Sequence, residues 1–420
     1  MRAKEVYFPT LENVKTAAKN LVGVAYKTPL NKNRNLSKQF DSTILFKRED
    51  LQVVRSYKIR GAYNKMSSLK ADEKKRGIVC ASAGNHAQGV ALSCKLLKVK
   101  GTIFMPSPTP NQKINQVKMF GEDFIEVVIE GDTFDDAFNL ANTRCKAQNK
   151  IFIHPFNDEK VIEGQATVGL EILSQTTRKI DYVFVAVGGG GLSSGLSSVF
   201  KYLSPETKVI GVEPEGAPSM LTSLKNKEIT ALEKIDSFVD GAAVKRVGDL
   251  NFKICQQNLY KMVTIPEGKI CQIILDLYNK DAIVVEPAGA LSIAALDSFA
   301  EEIKGKNVVC IVSGSNNDIT RTAEIKERAM LFANLKHYFI VRFPQRAGAL
   351  KEFVAEVLGP KDDITHFEYT KKTNRENGAA VVGLELKSAE DLAPLIKRMK
   401  ERGFFGDYLN DKPDLLQFLL

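Results

Sequence analysis

Asp181–Val187, DYVFVAV, is apolar at nearly every position. Four glycines follow at once, Gly188–Gly191, and then residues with helical spacing, Leu192–Leu203. A strand apolar on both faces has to be covered on both faces, and where the chain returns to helix directly after it, the cover is helical and the sheet parallel. The same alternation recurs from about Thr10 to Ser313. Ile78–Ala81 precedes a helical stretch at His86–Leu97, Gly101–Met105 precedes Asn111–Phe120, and Phe124–Ile129 precedes Phe134–Ala147. Lys208–Val212 and Asn307–Val312 read as further buried strands. The expected body is a doubly wound α/β fold, in which ligands bind at the carboxyl ends of the strands.

The character changes after about Arg321. A charged helical stretch leads to strand-like His337–Phe343, a turn and helix over Pro344–Leu358, strands at Ile364–Thr370 and Ala379–Leu386, and a basic amphipathic helix at Ala389–Arg402. This βαββα order suggests a small ferredoxin-like α+β domain. The expected division is a body over residues 1–325, a helical connector over 326–335, the small domain over 336–412 and a tail over 413–420. A helical connector, unlike a Gly/Ser-rich one, holds domains semi-rigidly.

With 420 residues, 44% of them hydrophobic, the chain buries enough apolar surface to need neither disulfides nor a structural metal. The net charge of +9 is spread along the chain, with only short clusters such as Lys397, Arg398, Lys400 and Arg402. That pattern suits a solvated surface attractive to small anions and argues against nucleic-acid binding. The six cysteines show no Cys-x-x-Cys spacing and lie mostly in apolar runs, as expected of reduced thiols in a cytoplasmic protein. Met1–Thr10 lacks the apolar stretch of a secretory signal, and no run is long enough to span a membrane.

Four segments carry candidate chemistry. Lys58, in SYKIRGAYNKM, stands where a loop gives way to the helical run Arg60–Leu69. A lysine that forms a Schiff base must be partly uncharged at neutral pH, and desolvation or a helix N-terminus supplies that condition; most lysines at helix starts are simply solvated. Ser82-Ala83-Gly84-Asn85-His86 lies between a strand and a helix. Its small residues let backbone N–H groups approach a carboxylate or phosphate, although a tight turn with Asn85 as helix cap and His86 as a packing residue produces the same letters. Gly188, Gly189, Gly190, Gly191 and Leu192 make an unobstructed loop at a helix N-terminus, suited to a dianionic phosphate. Its spacing is not that of a dinucleotide fingerprint. Ser313, in VSGSNND, closes the last strand of the body and should face the same crevice.

Together, SYKIRGAYNKM, ASAGNHAQGVA, VGGGGLSSG and VSGSNND resemble, in order and spacing, the fold type II (tryptophan-synthase-β-like) pyridoxal-phosphate enzymes, and among them the threonine dehydratases (threonine ammonia-lyases). The resemblance runs from about Pro9 to the C-terminus. It implies that Lys58 carries pyridoxal 5'-phosphate, that Asn85 bonds the cofactor's ring hydroxyl, and that Gly188 to Leu192 hold its phosphate. It further implies that Ser313 faces the pyridine nitrogen and that Ser82, Ala83, Gly84, Asn85 and His86 bind the substrate carboxylate. A neutral hydroxyl at the ring nitrogen makes a weaker electron sink than an aspartate and suits β-elimination. The implied reaction takes L-threonine to 2-oxobutanoate and ammonia, and L-serine to pyruvate, with the freed Lys58 amine as α-proton base.

Racemase relatives carry a second serine where this chain has Ala83, which argues against racemisation. Tyr57 replaces the usual Phe before the lysine. Some relatives bind a cation through a Glu–Ala–Asp set; here the residues are Glu213, Ala217 and Ser219, and no metal is expected. Glu286 (EPAGA) and Gly241 (DGAAV) fall near the family's cofactor pocket. HYFIVRFPQRAGAL, THFEYTKK and AAVVGLEL resemble the ACT-like regulatory domain of biosynthetic threonine dehydratases, in a short form with one such module. That implies feedback inhibition by isoleucine, relieved by valine, in a homotetramer on the isoleucine pathway. An unregulated catabolic dehydratase and a catalytically decayed amino-acid sensor are the competing readings; the intact Lys58 speaks against the sensor.

Overall fold

The computed structural model describes residues 7–370 and 377–416. Met1–Val6 of the leader reading, Lys371 and Lys372 of the THFEYTKK motif and the last four residues of the expected tail lie outside the described residues. The chain forms two compact units, Met1–Asp318 and Ile319–Leu420.

The first unit holds two sheets. The larger is ordered Leu30–Lys32, Thr43–Arg48, Asn307–Val312, Tyr182–Ala186, Lys208–Pro214, Lys261–Ile265, and only its first strand is antiparallel to its neighbour. The smaller, Ile125–Ile129, Gly101–Met105, Ile78–Ala81, Ile151–Phe152, is parallel throughout. Ile78–Ala81 and Gly101–Met105 are buried along their whole length, as continuous apolar runs demand. Four strands of these sheets escape sequence reading, among them Leu30–Lys32, which has only three residues. Ile151–Phe152 has only two residues, Lys261–Ile265 is partly exposed, and Thr43–Arg48 carries the fully buried Lys47 in a run that otherwise reads as a strand.

The helix bearing Lys58 runs Lys58–Ser67 and packs against helices Asn85–Leu97 and Glu159–Gln175. It starts two residues before the expected Arg60, and its N-cap Tyr57 makes no side-chain capping bond, so the usual start signal is missing. Glycines make the packing close. A Cβ on Gly89 would lie 3.1 Å from the Lys58 carbonyl, and one on Gly164 would lie 2.5 Å from that of Arg60.

The second unit contains an antiparallel sheet ordered Asp363–Tyr369, Asn377–Glu385, Lys336–Pro344, Phe405–Tyr408. The last strand, FGDY, completes a βαββαβ ferredoxin-like order that the sequence shows only as βαββα, because four residues with no apolar alternation give no strand signal. The expected helix at Ala389–Arg402 is a 3₁₀ turn, Ala389–Asp391, followed by Leu392–Glu401. Its core is aromatic: Phe343 packs edge-on against Phe353 and Phe404 at 5.3 and 5.6 Å between ring centres.

Candidate active site

Five segments of the site leave the carboxyl ends of parallel strands. Thr43–Arg48 runs on toward Lys58, Ile78–Ala81 into Ser82–Gly84, Ile151–Phe152 into His154–Asn157, Tyr182–Ala186 into the glycine loop, and Asn307–Val312 into Ser313–Asn316. The Lys58 loop is stitched to the Ser313 loop. Tyr57 N–H donates to the Ser313 carbonyl at 3.2 Å, and Ser315 N–H donates to that of Arg55 at 2.9 Å.

Lys58 is the first residue of its helix, and its Nζ donates to the Pro155 carbonyl at 3.0 Å. Burial pushes the ammonium down to about 8, against the pull of Glu286, so about a tenth of it is uncharged at pH 7, far more than for an ordinary lysine. Two histidines stand near enough to feel its charge. Burial, with a contribution from Lys58, lowers His86 to about 3 and His154 to about 4, so both rings are neutral. His86 Nε2 bonds the Ile153 carbonyl at 2.9 Å, while its Nδ1 is buried without a partner among the described residues. His154 Nδ1 accepts from the N–H groups of Phe156 and Asn157 at 3.2 and 2.9 Å and so shapes the turn that presents the Pro155 carbonyl.

Two residues beyond Lys58, Arg60 is 1% exposed and holds its helix in place. Its guanidinium bonds both carboxylate oxygens of Glu49 at 2.7 and 2.8 Å and both of Glu171 at 2.7 and 2.9 Å. Lys47 also donates to Glu171, at 2.6 Å. Paired in this way, the buried charges are tolerated and the helix start is immobilised.

The glycine loop sits against Phe156. A Cβ on Gly189 would fall 2.3 Å from that ring, and one on Gly191 would lie 3.0 Å from Phe156 Cβ. Gly190, at φ +92°, turns the chain into helix Gly191–Leu203. The Gly189 carbonyl is pinned by Asn251 Nδ2 at 2.7 Å and by Gly248 N–H at 3.1 Å. The N–H groups of Gly188, Gly189 and Gly190 donate to nothing among the described residues. Leu192 is buried in the apolar cluster against which Tyr57 packs.

Ser82 Oγ accepts from Gly84 N–H at 3.2 Å, and a Cβ on Gly84 would meet nothing within 4 Å, so this turn borders open space. The helix N-cap is Gly84, not Asn85. The Asn85 amide instead bonds Glu286 and Asn316, each at 2.6 Å. Ser313 Oγ donates to the Ala288 carbonyl at 3.2 Å. Glu286 is buried, and desolvation together with Asp240 pushes it up to about 7. Gly241 lies against Ala288 and Glu286. Glu213 sits elsewhere, its carboxylate accepting the N–H groups of Met220 and Leu221 at 2.6 and 2.8 Å. Tyr57's ring lies 5.4 Å from Lys58 Nζ.

Sequence reading misses His154, Pro155, Phe156, Asn251 and Asn316. His154-Pro155-Phe156-Asn157 follows a strand too short to announce itself; a histidine and an asparagine flanking Pro-Phe between strand and helix is the one local signal.

The site's donors fit a phosphate-bearing aldehyde. A desolvated lysine amine stands in the same crevice as a helix-start loop with three free N–H groups. Comparisons with known proteins agree. A family model for pyridoxal-phosphate dependent enzymes matches residues 23–314, and one for the C-terminal regulatory domain of threonine dehydratase matches 327–419. The biosynthetic L-threonine dehydratase of Halalkalibacterium halodurans is 54% identical over 98% of this chain and 99% of its own. That of Bacillus subtilis is 52% identical over 99% of each. The chain belongs to the threonine dehydratase family of pyridoxal-phosphate enzymes. Among solved structures, threonine deaminase isoform 2 from Solanum lycopersicum superposes with a TM-score of 0.71 at 38% identity, covering 78% of this chain and 98% of that one. Serine racemase from Dictyostelium discoideum superposes at 0.68 and 31% identity, covering 74% and 99%. Membership in this family makes the chain a pyridoxal-phosphate-dependent lyase of fold type II with a C-terminal regulatory domain. Among the described residues no helix is long and apolar enough to cross a membrane.

Proposed function

We propose that the enzyme converts L-threonine to 2-oxobutanoate and ammonia, and L-serine to pyruvate, with Lys58 as cofactor anchor and α-proton base. The observation that carries this is the meeting, in one crevice, of the desolvated Lys58 amine and the glycine loop with its free N–H groups. Bound pyridoxal phosphate supplies the electron sink that acidifies the α C–H of the amino acid it carries. The chain's own residues do the rest. Gly188 to Leu192 hold the phosphate at the helix N-terminus. Ser82 to His86 offer the substrate carboxylate the open turn at Gly84 and the start of a second helix. Asn85 donates to the cofactor's ring oxygen. Ser313, whose hydroxyl donates to the Ala288 carbonyl, can turn that proton to the ring nitrogen and meet it as a neutral donor. Lys58 Nζ, uncharged once free, takes the α-proton, and the ammonium so formed can return a proton to the departing β-hydroxyl, which then leaves as water. Ala83 offers no hydroxyl for proton return, which favours elimination over racemisation.

The C-terminal unit serves feedback by isoleucine, opposed by valine. Its support is a cavity of about 190 Å³ lined by Phe343, Leu350, Phe367 and Tyr369 with Arg346 beside them, apolar with one cation and sized for a small branched amino acid. We place the enzyme in the cytoplasm, in keeping with its six buried thiols, and assign it a homotetramer, which sedimentation checks. The test of function is 2-oxoacid release from L-threonine with and without isoleucine. Product that falls with isoleucine is expected. Product indifferent to isoleucine returns the catabolic reading, and no product refutes the reaction.

A further inference from the structure

Asn85, Glu286 and Asn316 come from three distant segments and meet beside Lys58. Their hydrogen bonds can be oriented from one fixed point, the Val54 carbonyl, which can only accept. Asn316 Nδ2 donates to it at 2.9 Å, which settles which way round the Asn316 amide lies. The same Nδ2 lies 2.6 Å from Asn85, so the Asn85 atom facing it is the acceptor Oδ1. Asn85 Nδ2 therefore faces Glu286, and donates to Oε1 at 2.6 Å. The other carboxylate oxygen accepts Asn316 N–H at 3.2 Å. A flipped Asn85 would set oxygen against carboxylate and NH₂ against NH₂. The arrangement leaves Asn316 Oδ1 buried without a partner among the described residues, a cost that a network optimised only for stability would avoid.

Asn85 Nδ2 carries two hydrogens, and Glu286 takes one; the other has no acceptor among the described residues. We propose that Glu286 and Asn316 form a clamp that fixes the Asn85 carboxamide with one N–H free to donate to the cofactor's ring oxygen, so that both are positioning residues for cofactor binding. This rests on the proposed role of Asn85 and deepens it: the ring oxygen meets a donor and is held as an acceptor.

The clamp is sensitive to pH. Lys58, Tyr57, Asp240 and Lys113 are the charged and titratable groups that face Glu286. Both of its hydrogen-bonding neighbours are donors, so an added proton on either oxygen opposes the N–H it meets. The clamp is intact above the Glu286 pKa, which burial and Asp240 raise to about 7, and loosens below it.

The test follows cofactor retention by the holoenzyme's visible absorbance on dilution, for the wild type, Glu286→Gln, Asn316→Ala, Asn85→Ala and the two doubles with Asn85→Ala. Each clamp variant is expected to weaken retention roughly tenfold, the scale of one hydrogen bond to a charged or strongly polar group. Neither should matter further once Asn85 is Ala. Retention by the wild type should fall as pH drops through about 7, and that inflection should vanish in Glu286→Gln. Clamp variants within twofold of wild type, or losses that simply multiply with Asn85→Ala, overturn the clamp while leaving the proposed function standing. A wild type with no visible band overturns both. Glu286→Gln is isosteric, so it carries the test alone should Asn316→Ala fail to fold.

Discussion

Gly189→Ala probes how the glycine loop and the lysine depend on one another. The added Cβ would lie 2.3 Å from Phe156 Cδ1 and Cγ and 2.4 Å from Cε1, near the stem of the ring and not at a flexible tip. The ring cannot retreat freely, because it packs edge-on against His154 at 4.7 Å between centres. Overpacking of this kind costs about 1–3 kcal/mol. Phe156 follows Pro155, whose carbonyl accepts from Lys58 Nζ, so part of that cost falls on the lysine's position as well as on the phosphate loop. Cofactor affinity should therefore drop between about 5- and 150-fold. Absorbance titration of the variant with pyridoxal phosphate measures it. Gly84→Ala is the packing control: its Cβ meets nothing within 4 Å, so its thermal midpoint should stay near wild type. Shortening the ring in Gly189→Ala/Phe156→Leu should recover much of the loss. Affinity for Gly189→Ala within twofold of wild type, or no recovery in the double variant, refutes the link between loop, ring and lysine.

Arg60→Met removes the guanidinium that bonds both Glu49 and Glu171, and breaking a buried pair of this kind should cost about 3–5 kcal/mol in denaturant unfolding; a loss under about 1 kcal/mol contradicts the role given to the network. Reloading of apoenzyme with pyridoxal phosphate requires the uncharged Lys58 amine. Its fraction grows about tenfold per pH unit below its pKa of about 8 and levels off above, so the reloading rate should rise with pH and flatten there, and a rate that falls over that range contradicts the assignment. Leu350→Asp places a carboxylate in the lining of the C-terminal cavity and should blunt inhibition by isoleucine while leaving turnover without effector intact; steady-state assays with and without isoleucine decide it.

The segments that sequence displays best are those in which a buried strand passes through small residues directly into a helix. ASAGNHAQG and VGGGGL are of this kind, because the chemistry of an anion-binding turn is local and leaves its letters in order. Ser313 is legible for the same reason, as the residue closing Asn307–Val312. Lys58 is legible only through its company: Tyr57 supplies no side-chain cap to mark the helix start, and the desolvation that lowers its pKa comes from distant packing. The Glu286–Asn85 bond joins residues 201 apart, and the Asn316–Val54 bond residues 262 apart. No periodicity or motif reports such pairs, because they exist only once both sheets have formed. Lys47 in the strand Thr43–Arg48 illustrates the converse: a residue type that ordinarily stays in water is buried here because Glu171, Gln175 and the Thr28 carbonyl receive its ammonium.

The central claim is that Lys58 is the residue that carries the cofactor. Borohydride reduction of the holoenzyme, followed by peptide mapping by mass spectrometry, tests it without reliance on turnover. A phosphopyridoxyl group on the peptide containing Lys58, absent in Lys58→Ala, is the predicted result. The same group on another lysine of the wild type, or on none, contradicts the account.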